Sequence, residues 1–446
     1  NVYVNAVTGE IVKVYDLVKH DGLATIPYYG VQNIDTRWLG WPTSAHVLHT
    51  NDAGRNVHTK YDGAASWGLT SEIQDSDGSW GTSEDKGTAA HWAVTKAWDY
   101  FKNKHDRNGL DGDGNKVRVL CESNDRDGAW YDKIAGIDRI FAGFGEGDVY
   151  MGEISVLAHE FTHGIDAHSG ELTYSNEPGA LNESFADIFG FVVRNYTTGS
   201  TSWEIGVPIG VNRERRNLQF PNSLGFHYDI DVGAGTAVEA AGQPDTYGGD
   251  FWHPWEISGN DVGGVHINSG VQNHWFYMLC QGETGTNDIG SSYVVYGIGI
   301  DKAAEIAYYN LTSNMESSSQ YEDAMIGAIH AAALKYGECS FEHIETQNAW
   351  YAAGVGDWSY CYGAGIKESE QSFELYPNPA HDQTTIKFYT NEPKTIELYA
   401  SNGQLLKTYK NVTGLSSVLD ISYLAQGSYF VSVIGDKRSN TILIKK

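Results

Sequence analysis

The alternation of apolar and polar positions divides the chain into three parts, and the first part is rich in strands. Residues 1 to about 115 carry many glycines and threonines, and the run "NVYVNAVTGEIVKVYDL" alternates with a period of two on both sides of Gly9. That period is typical of strands, so we predict a strand pair joined at Gly9. One helical window, "TAAHWAVTKAWDYFKNKH", interrupts this part. Its apolar residues at helical spacing are Ala89, Trp92, Ala93, Ala97 and Tyr100.

The second part has a helical period, and the third returns to strands. Between about Gly152 and Gly363 the apolar residues recur every three or four positions, which predicts a mostly helical region. The third part begins near Lys367, with the polar run "KESEQS", and contains alternating runs such as "TTIKFYT" and "GSYFVSVI". Asn402-Gly403 between two such runs is a strong hairpin signal, so we predict a small β-sandwich of about 75 residues.

The length and charge of the chain exclude some classes of function. A chain of 446 residues is long enough for two or three domains with cores of their own. It carries 57 acidic and 30 basic residues, so nucleic-acid binding, which needs clustered lysine and arginine, is not expected. No apolar run approaches the roughly 18 to 20 residues that span a bilayer, and we recognise no signal peptide. We expect a protein that is either cytosolic or exported and already trimmed at its N-terminus.

Four cysteines are too few for a disulfide framework in a chain of this size. Cys339 and Cys361 flank an aromatic-rich stretch and can close a loop in an oxidising compartment, the alternative being two unrelated thiols. Cys280 lies among apolar residues in "NHWFYMLCQG" and is predicted to be a core residue. Cys121 ends a predicted strand and has no assigned partner.

Two histidines four residues apart are the first sign of a metal site. In "HEFTHGIDAHSG", His159 and His163 lie one helical turn apart on the same face, so both imidazoles can reach one ion. Glu160 follows the first histidine, and we expect its carboxylate to point toward the place of a metal-bound water. Zinc held by three protein ligands keeps one position open, which is the catalytic arrangement. The H-E-x-x-H pattern alone also arises by chance, so a third ligand has to support it.

A glutamate twenty residues beyond His163 is the candidate for that third ligand. Glu183 lies in "NESFAD" on a second predicted helix, with Asp187 one turn later. A ligating histidine donates its other N–H to a carboxylate or an amide, and Asn182 and Asp187 are the candidates for that part. The alternative is a solvated Asn-Glu-Asp helix face. Tyr174, between the two helices, is either a core residue or a phenol near the metal.

These residues stand in a stretch, "HEFTHGIDAHSGELTYSNEPGALNESFADIFG", that resembles the active-site segment of the thermolysin family of zinc endopeptidases. The stretches "AAHWAVTKAWDYFKNKH", "SWEIG", "GGVHINSGVQNHWFYML" and "YGIGIDKAAEIAYYNL" extend the resemblance over roughly residues 22 to 360. The resemblance implies an α+β fold, a thermolysin-like two-domain metallopeptidase with its cleft between the domains. We expect a β-rich N-terminal domain at 21–151 and a helical C-terminal domain at 152–366.

The resemblance implies one catalytic zinc ion. Its ligands would be His159, His163 and Glu183, with Glu160 as the base that acts on the zinc-bound water. The chemistry agrees with these roles, since zinc lowers the pKa of bound water toward about 7 and polarises a carbonyl group. A carboxylate within reach takes the proton and passes it to the leaving amine.

Further residues match the family's positions around the reacting bond. Tyr174 and His266 match the groups that stabilise the oxyanion of the tetrahedral intermediate, and Asp261 matches the carboxylate that orients the histidine. In the alternative reading, His266 is a core histidine at the start of a helix.

The resemblance also implies substrate-binding residues. Arg216 in "ERRNLQFP" matches the arginine that holds a substrate carbonyl, with a one-residue ambiguity toward Arg215. Ala129 in "GAWY" matches the edge-strand residue that pairs with the substrate backbone, and Trp130 beside it is a further substrate-binding candidate. Gly128 replaces the family's usual asparagine, and Arg215 aligns with an apolar wall residue. We therefore expect a narrower or more polar pocket than is usual.

The family's paired calcium site is predicted to be lost. Arg194 would repel the ion while offering Glu204 a salt-bridge partner, and calcium needs six to eight oxygen ligands, several of them anionic. The other carboxylate positions of that site align with Ser155, Ser202 and Val207.

Calcium elsewhere in the chain stays open. The run "DGDGN" at Asp111 begins like a calcium loop, and Glu122 falls at its twelfth position. Lys116 stands where such a loop needs glycine, so a hairpin turn is favoured.

The two ends of the chain resemble segments with other tasks. Residues 1–20 resemble the last strand pair of the family's propeptide, so they are a propeptide remnant or part of a longer mature N-terminus. Residues 367–446, with "LYPNPAHDQTTIKF" and the terminal "TILIKK", resemble the type A sorting domain of the type IX secretion system. That resemblance implies a secreted protein, extracellular or at the cell surface; a β-sandwich binding module is the alternative.

Together these features predict a secreted, zinc-dependent neutral endopeptidase that hydrolyses internal peptide bonds of proteins. We expect protein or peptide substrates, the type IX secretion machinery as a partner, no nucleic acid, no transmembrane segment and a monomer. A surface-attached binding protein without turnover and a latent zymogen are the competing hypotheses. The presence of Glu160, Tyr174 and His266 disfavours the binding protein, because a protein without turnover has no need of all three.

Overall fold

The structure is a computed structural model, and most of the chain is described in it. The described residues are 2–4, 11–14, 21–50, 54–62, 70–81, 85–121, 128–145, 149–150, 152–206, 216–223, 226–231, 237–240, 242–254, 261–359, 361, 373–400, 404–435 and 438–446.

Helices dominate the middle of the chain, as its period of three and four predicts. The α-helices of the described residues are α1 (Asp85–His105), α2 (Ile154–Asp166), α3 (Asn176–Thr198), α4 (Val265–Asn268), α5 (Gly270–Gln281), α6 (Ile300–Tyr309), α7 (Tyr321–Tyr336) and α8 (Phe341–Ala352). A short 3-10 turn at Pro221–Ser223 and a π-helical segment at Asn310–Asn314 accompany them.

Strands occupy both ends of the chain and a few connections. In the first half they are β1 (Val2–Val4), β2 (Ile11–Val14), β3 (Asp21–Ile26), β4 (Gly30–Asp35), β5 (Arg37–Trp38), β6 (His46–Val47), β7 (Val57–Asp62), β8 (Thr70–Glu72), β9 (Gln74–Asp75), β10 (Ser79–Trp80), β11 (Val117–Cys121), β12 (Ala129–Ile134), β13 (Ile137–Ala142), β14 (Phe144–Gly145) and β15 (Val149–Tyr150). The later strands are β16 (Glu204–Ile205), β17 (Arg216–Asn217), β18 (Phe226–Asp231), β19 (Ala237–Ala240), β20 (Gly282–Thr286), β21 (Ser292–Tyr296), β22 (Phe373–Tyr376), β23 (Gln383–Phe388), β24 (Lys394–Ala400), β25 (Leu405–Val412), β26 (Ser416–Asp420), β27 (Gly427–Ile434) and β28 (Arg438–Lys445).

The described residues form two units. The first comprises Asn1–Asp245, Phe251–Asn273 and Tyr308–Ala324, and the second comprises Thr246–Asp250, His274–Ala307 and Met325–Lys446. No helix of the described ranges has the length and apolar character needed to cross a membrane.

A five-stranded mixed sheet organises the N-terminal half of the first unit. Its order is β12-β13-β11-β7-β8, with β11 parallel to both neighbours and β12 antiparallel to β13 at the edge. Helix α1 buries the apolar face that its helical spacing predicts, including Trp92, Ala93 and Ala97. Strands β1 and β2 pair as expected, although the predicted turn at Gly9 lies outside the described residues.

Helices α2 and α3 carry the polar residues on which the functional predictions rest. The Glu153 carboxylate caps α2 by accepting hydrogen bonds from the backbone N–H groups of Ser155 and Val156. Helix α3 ends at Gly199, whose φ of 71° is the left-handed conformation that glycine adopts without strain. The two helices cross closely at Gly190, where a Cβ would lie 2.5 Å from the carbonyl oxygen of Ser155. Only glycine fits this crossing, which brings α3 against the turn of α2 that carries His159.

The second unit contains a disulfide and the C-terminal sandwich. Cys339 and Cys361 are bonded, while Cys121 in the first unit and Cys280 in the second are buried and belong to no disulfide. Two sheets, ordered β22-β23-β26 and β25-β24-β27-β28, share one apolar core, so the predicted β-sandwich is confirmed. Strands β24 and β25 pair as a hairpin, but Asn402 and Gly403 lie outside the described residues.

The helix crossing is open to test with Gly190→Ala. The added methyl group would meet the Ser155 carbonyl oxygen, and forcing atoms into a packed interface costs roughly 1 to 3 kcal/mol. We expect a lower thermal unfolding temperature and weaker zinc binding, measured by calorimetry and chelator competition. Thr197→Ala, at a half-buried position of the same helix, serves as the control and should change neither. Unchanged stability of Gly190→Ala would contradict the close crossing.

Candidate metal centre and active site

Helix α2 presents two histidines to one point. His159 and His163 lie one turn apart, and their Nε2 atoms are 2.9 Å from each other. When His159 is protonated, one nitrogen can donate a hydrogen bond to the other at this distance. When both imidazoles are neutral, the two facing lone pairs suit two ligands of one cation. His159 is buried and His163 is mostly buried.

Helix α3 adds a carboxylate at the same point. Glu183 is 1% exposed, and its two oxygens lie 3.4 Å from Nε2 of His159 and 3.5 Å from Nε2 of His163. The three candidate ligand atoms lie within 4.8 Å of one another. Oε2 of Glu183 is buried and has no hydrogen-bond partner among the described residues. Two imidazole nitrogens and an unsatisfied carboxylate oxygen are a donor set that fits zinc with one position left open.

The charges at this point are strongly coupled. Burial alone would raise the pKa of Glu183, but the facing imidazoles, that of His266 most strongly, hold that pKa well below its ordinary range. Burial opposes charge on His159, yet the nearby carboxylates of Asp187 and Glu183 outweigh burial and raise its pKa to about 9. Burial lowers the pKa of His163 to about 4. Without a metal, these shifts favour a protonated His159 beside an ionised Glu183.

Asp187 orients the first histidine. Its Oδ1 lies 2.9 Å from Nδ1 of His159 and accepts a hydrogen bond from Nε of Arg216 at 2.8 Å, while Oδ2 accepts from Nδ2 of Asn273 at 2.8 Å. An acceptor at Nδ1 keeps the hydrogen on that nitrogen and leaves Nε2 free to bind a metal.

Asn182 holds the second histidine in the same way. Its Oδ1 accepts a hydrogen bond from Nδ1 of His163. The structure thus places Asn182 and Asp187, the two predicted orienting groups, one on each histidine. A further acidic residue, Asp166, accepts a hydrogen bond from Asn182 and was not predicted from the sequence. The helical period could have indicated Asp166, because it follows His163 by three residues and therefore lies near it on the same face of α2.

Glu160 lines the cleft beside the histidines and is 6% exposed. Burial raises the pKa of Glu160 to about 7, against the opposing charge of His159. A carboxyl group that titrates near neutrality can both accept and return a proton, which suits a general base that later acts as an acid.

Tyr174 and His266 form the opposite wall of the centre. The Tyr174 hydroxyl donates to Oε1 of Glu183 at 2.5 Å and lies 3.0 Å from Nε2 of His266. Nδ1 of His266 lies 2.5 Å from Oδ1 of Asp261. Burial disfavours charge on His266, but the carboxylates of Glu183 and Asp261 raise its pKa to about 10. His266 is therefore a charged donor directed at the centre, in contrast to the alternative of a core histidine.

An open strand edge borders the same cleft. Strand β12 is the edge of its sheet, and Ala129 and Trp130, the predicted substrate-binding residues, lie on it. The Trp130 ring stacks on Phe141 at 4.3 Å, which fixes its position. An edge strand offers backbone donors and acceptors to an extended peptide. Arg216 also lines the cleft, whereas Arg215 and the pocket wall predicted for it lie outside the described residues.

The cleft has a volume of ≈ 730 Å³ and gathers every predicted site residue except Asp187 and Asp261, which stand behind its wall. Its lining residues are Gly128, Ala129, Trp130, Tyr131, Val156, His159, Glu160, His163, Asp166, Ala167, Glu171, Leu172, Tyr174, Asn182, Glu183, Ile205, Arg216 and His266.

A buried arginine lies where the family's paired calcium site is predicted to be lost. Arg194 is 3% exposed, and Nη2 donates to the Ser202 carbonyl oxygen at 2.5 Å. Ser155 accepts a hydrogen bond from the Gly206 N–H at 3.0 Å. These contacts agree with the expectation that calcium does not bind here, but the loss of the site stays a prediction. The ion pair between Arg194 and Glu204 also stays a prediction. Val207 lies outside the described residues.

The Asp111 loop closes on itself. Oδ1 of Asp111 accepts hydrogen bonds from the backbone N–H groups of Asp113 and Gly114 at 2.9 and 3.1 Å. The carboxylate is thereby used within a tight turn, but this turn joins α1 to β11 and not two antiparallel strands, so the predicted hairpin is wrong. Glu122, the twelfth position of the alternative, lies outside the described residues.

Two segments of the chain match parts of one peptidase family. Residues 30–166 match the catalytic domain of thermolysin metallopeptidase, and residues 170–355 match its α-helical domain. Residues 374–446 match a secretion system C-terminal sorting domain. The sorting domain indicates a secreted or cell-surface protein. The boundaries predicted at residues 20, 151 and 366 stay predictions.

Curated relatives lie at about 30% identity. The "Transglutaminase-activating metalloprotease" of Streptomyces mobaraensis is 32% identical over 341 residues, 71% of this chain and 41% of that protein. "Bacillolysin" of Bacillus cereus is 31% identical over 70% of this chain and 51% of that protein. "Thermolysin" of Alicyclobacillus acidocaldarius subsp. acidocaldarius is 31% identical over 70% of this chain and 53% of that protein. The chain spans about half the length of these relatives.

A solved structure shares the fold. The precursor of protealysin, a metalloproteinase from Serratia proteamaculans, is 21% identical, with a TM-score of 0.52 over 67% of this chain and 87% of that chain. At that identity the likeness concerns the fold alone.

The orienting role of Asp187 is tested by Asp187→Asn. The amide can turn its NH2 group toward Nδ1 of His159 and favour the tautomer that cannot bind metal through Nε2. Loss of such a group typically costs 10- to 100-fold in metal affinity. We expect a dissociation constant for zinc that is higher by that factor, measured by chelator competition. Asp301→Asn, at the start of α6, is the control, and an unchanged constant for Asp187→Asn would refute the role.

Zinc binding should also release a proton. His159 has a pKa of about 9, so it is protonated at pH 6, and a ligating imidazole must be neutral. Apparent zinc affinity should therefore rise with pH until about pH 9 is passed. Calorimetry at pH 6 in buffers of different ionisation enthalpy should report release of about one proton per zinc. Zinc binding without proton release would show that His159 is neutral or is not a ligand.

Proposed function

The chain belongs to the thermolysin family of metallopeptidases, and we propose that it is a secreted zinc endopeptidase that hydrolyses internal peptide bonds of proteins. The observation that carries this proposal is the convergence of His159, His163 and Glu183 beside a buried Glu160, in a cleft bordered by an open strand edge. Metal ligands alone would support storage or a structural site. A base that titrates near neutrality and a peptide-binding edge at the same centre favour hydrolysis.

The proton transfers belong to Glu160. Zinc, when bound by His159, His163 and Glu183, would polarise the scissile carbonyl group and lower the pKa of water. Glu160 takes a proton from the attacking water and delivers it to the nitrogen of the leaving amine. Burial raises the pKa of Glu160 to about 7, which suits a group that both accepts and returns a proton at neutral pH.

Tyr174 and His266 supply hydrogen-bond donors for the negative charge that develops on the carbonyl oxygen. Removing one such donor from comparable sites costs roughly 3 to 4 kcal/mol. Asp261 keeps His266 in place, because its carboxylate accepts from the ring and from the backbone N–H of His266 at 3.1 Å. In the absence of substrate, both donors lie against Glu183. They are therefore already directed at the centre before substrate arrives.

The substrate backbone is held by β12 and Arg216. Ala129 and Trp130 lie on β12, the edge strand of the sheet among the described residues, where an extended peptide can add as a further strand. Arg216 is tied to Asp187 by two close contacts, of 2.7 and 2.8 Å, so its guanidinium group is preorganised to bind a carbonyl oxygen. From these assignments we infer that the substrates are proteins and peptides bound in an extended conformation.

The sorting domain determines where the enzyme acts. We infer that 367–446 is recognised by the type IX secretion machinery, with peptidase domains at 21–151 and 152–366 and a propeptide remnant at 1–20. The acidic charge balance of the chain supports a protein that binds no nucleic acid. We propose that the catalytic unit acts as a monomer, since the ligands, the base and the donors all come from one chain.

Glu160→Gln tests the proposal. Glutamine keeps the shape of the side chain but cannot accept the proton, so kcat on an internally quenched peptide library should fall about 10²- to 10⁴-fold while zinc stays bound. Glu171→Gln, an exposed acidic residue of the same cleft, is the matched control and should retain most of the activity. If the wild-type protein binds zinc and cleaves nothing, the binding protein or the latent zymogen replaces the enzyme.

A further inference from the structure

A chain of hydrogen bonds leads from the metal centre into the loop that follows α2. Nδ1 of His163 donates to Oδ1 of Asn182, and Nδ2 of Asn182 donates to Oδ2 of Asp166 at 2.6 Å. The backbone N–H of Leu172 donates to the same oxygen at 3.0 Å. Asp166 and Asn182 are 3% and 7% exposed. These hydrogen bonds are therefore largely buried, although the three side chains also line the cleft.

The two histidines differ in what holds them. His159 faces the carboxylate of Asp187, whose oxygens are both acceptors. His163 faces an amide, whose oxygen and nitrogen ends have nearly the same shape and opposite hydrogen-bonding character. If the amide of Asn182 turned over, its NH2 group would face Nδ1 of His163. That nitrogen would then have to be the acceptor, and the hydrogen would move to Nε2, the atom that faces His159 and Glu183.

The carboxyl group of Asp166 prevents this rotation. Its Oδ2 can only accept, so it requires the NH2 end of Asn182 and leaves the oxygen end for His163. We infer that Asp166 is a positioning residue of the metal centre, which acts through Asn182 to keep Nε2 of His163 free of hydrogen. This inference rests on the proposed function in so far as His163 is a zinc ligand.

The loop after α2 is built around Asp166. The Asp166 carbonyl oxygen accepts hydrogen bonds from the backbone N–H groups of Ser169 and Glu171, each at 2.9 Å. At Gly170, a Cβ would lie 2.9 Å from Oδ1 of Asp166, so a side chain there would press on the carboxyl group. These contacts hold the carboxyl group where Oδ2 meets Asn182.

The acceptor is present in either protonation state. Burial raises the pKa of Asp166 to about 7, and Oδ1 has no hydrogen-bond partner among the described residues. A proton on Oδ1 leaves Oδ2 as the acceptor for Asn182 and Leu172. An uncharged group with an oxygen at this place, as in Asp166→Asn, should therefore keep the function of the aspartate.

Zinc affinity of the full chain tests the inference without reference to catalysis. Asp166→Leu should raise the dissociation constant for zinc roughly 10- to 100-fold, measured with zinc alone against a chromophoric chelator. Asp166→Asn should stay within about threefold of the wild type if one acceptor oxygen suffices. In an Asn182→Ala background, Asp166→Leu should change the constant by less than about twofold, because the group through which it acts is already gone.

A control separates positioning from stability. Asp138→Leu removes another buried aspartate, which binds Tyr131 and His168 rather than a candidate ligand. It should lower the unfolding temperature and leave the zinc constant unchanged. If Asp166→Leu does not fold, Asp166→Ala takes its place in the same comparison.

Three results would overturn the inference. An unchanged zinc constant in Asp166→Leu would make Asp166 merely structural. An equal loss with and without Asn182 would show that Asp166 does not act through it. A loss in Asp166→Asn as large as in Asp166→Leu would show that an acceptor oxygen is not what matters. Failure of the proposed function looks different, because a wild type that binds zinc without cleaving peptides leaves the affinity comparison intact.

Discussion

The burial of two carboxylates on α3 is the constraint on which the rest of the site depends. Glu183 and Asp187 are 1% and 0% exposed, and an isolated buried carboxylate would be far too costly to keep ionised. Both remain charged only because imidazole and guanidinium groups from other elements surround them. His159 bridges the two carboxylates, and Arg216 balances Asp187. Glu183 still has one oxygen without a hydrogen-bond partner among the described residues, and a divalent cation would compensate the negative charge that the protein groups balance only in part.

The backbone that brings these charges together is equally restricted. The close crossing of α2 and α3 at Gly190 sets Glu183 across from both histidines. Each histidine contacts an orienting group through its Nδ1 atom. The carboxylate of Asp187 contacts His159, and the amide of Asn182, which is bound in turn by Asp166, contacts His163. These groups fix which ring nitrogen of each histidine carries the hydrogen. This matters because a nitrogen that binds a metal must be free of hydrogen. The opposite wall, with Tyr174 and His266, would add donors at the place where the proposed hydrolysis develops negative charge.

The sequence allowed the helices, the sandwich and the principal site residues to be predicted, because periodicity and ligand spacing are local properties. The parallel pairing of β11 with β7 and β13 is not local, so no pattern within β11 indicates its neighbours. The role of Asp166 could not be predicted for a related reason. It depends on the amide of Asn182, which is sixteen residues away in the chain. Family resemblance supplied Arg216, Tyr174 and His266, which spacing alone would not connect to His159. Burial and its effect on the pKa of Glu160 became visible only in the fold.

X-ray absorption spectroscopy at the zinc edge of the zinc-loaded protein tests the central claim most directly. The account predicts a first shell of nitrogen and oxygen at roughly 2.0 to 2.2 Å, with the scattering pattern of two imidazoles and no sulfur. The other group of possible ligands among the described residues, Cys339, His343 and Cys361, would contribute sulfur, and its cysteines are joined in a disulfide. A sulfur shell at about 2.3 Å, or a single imidazole, would contradict the proposed centre.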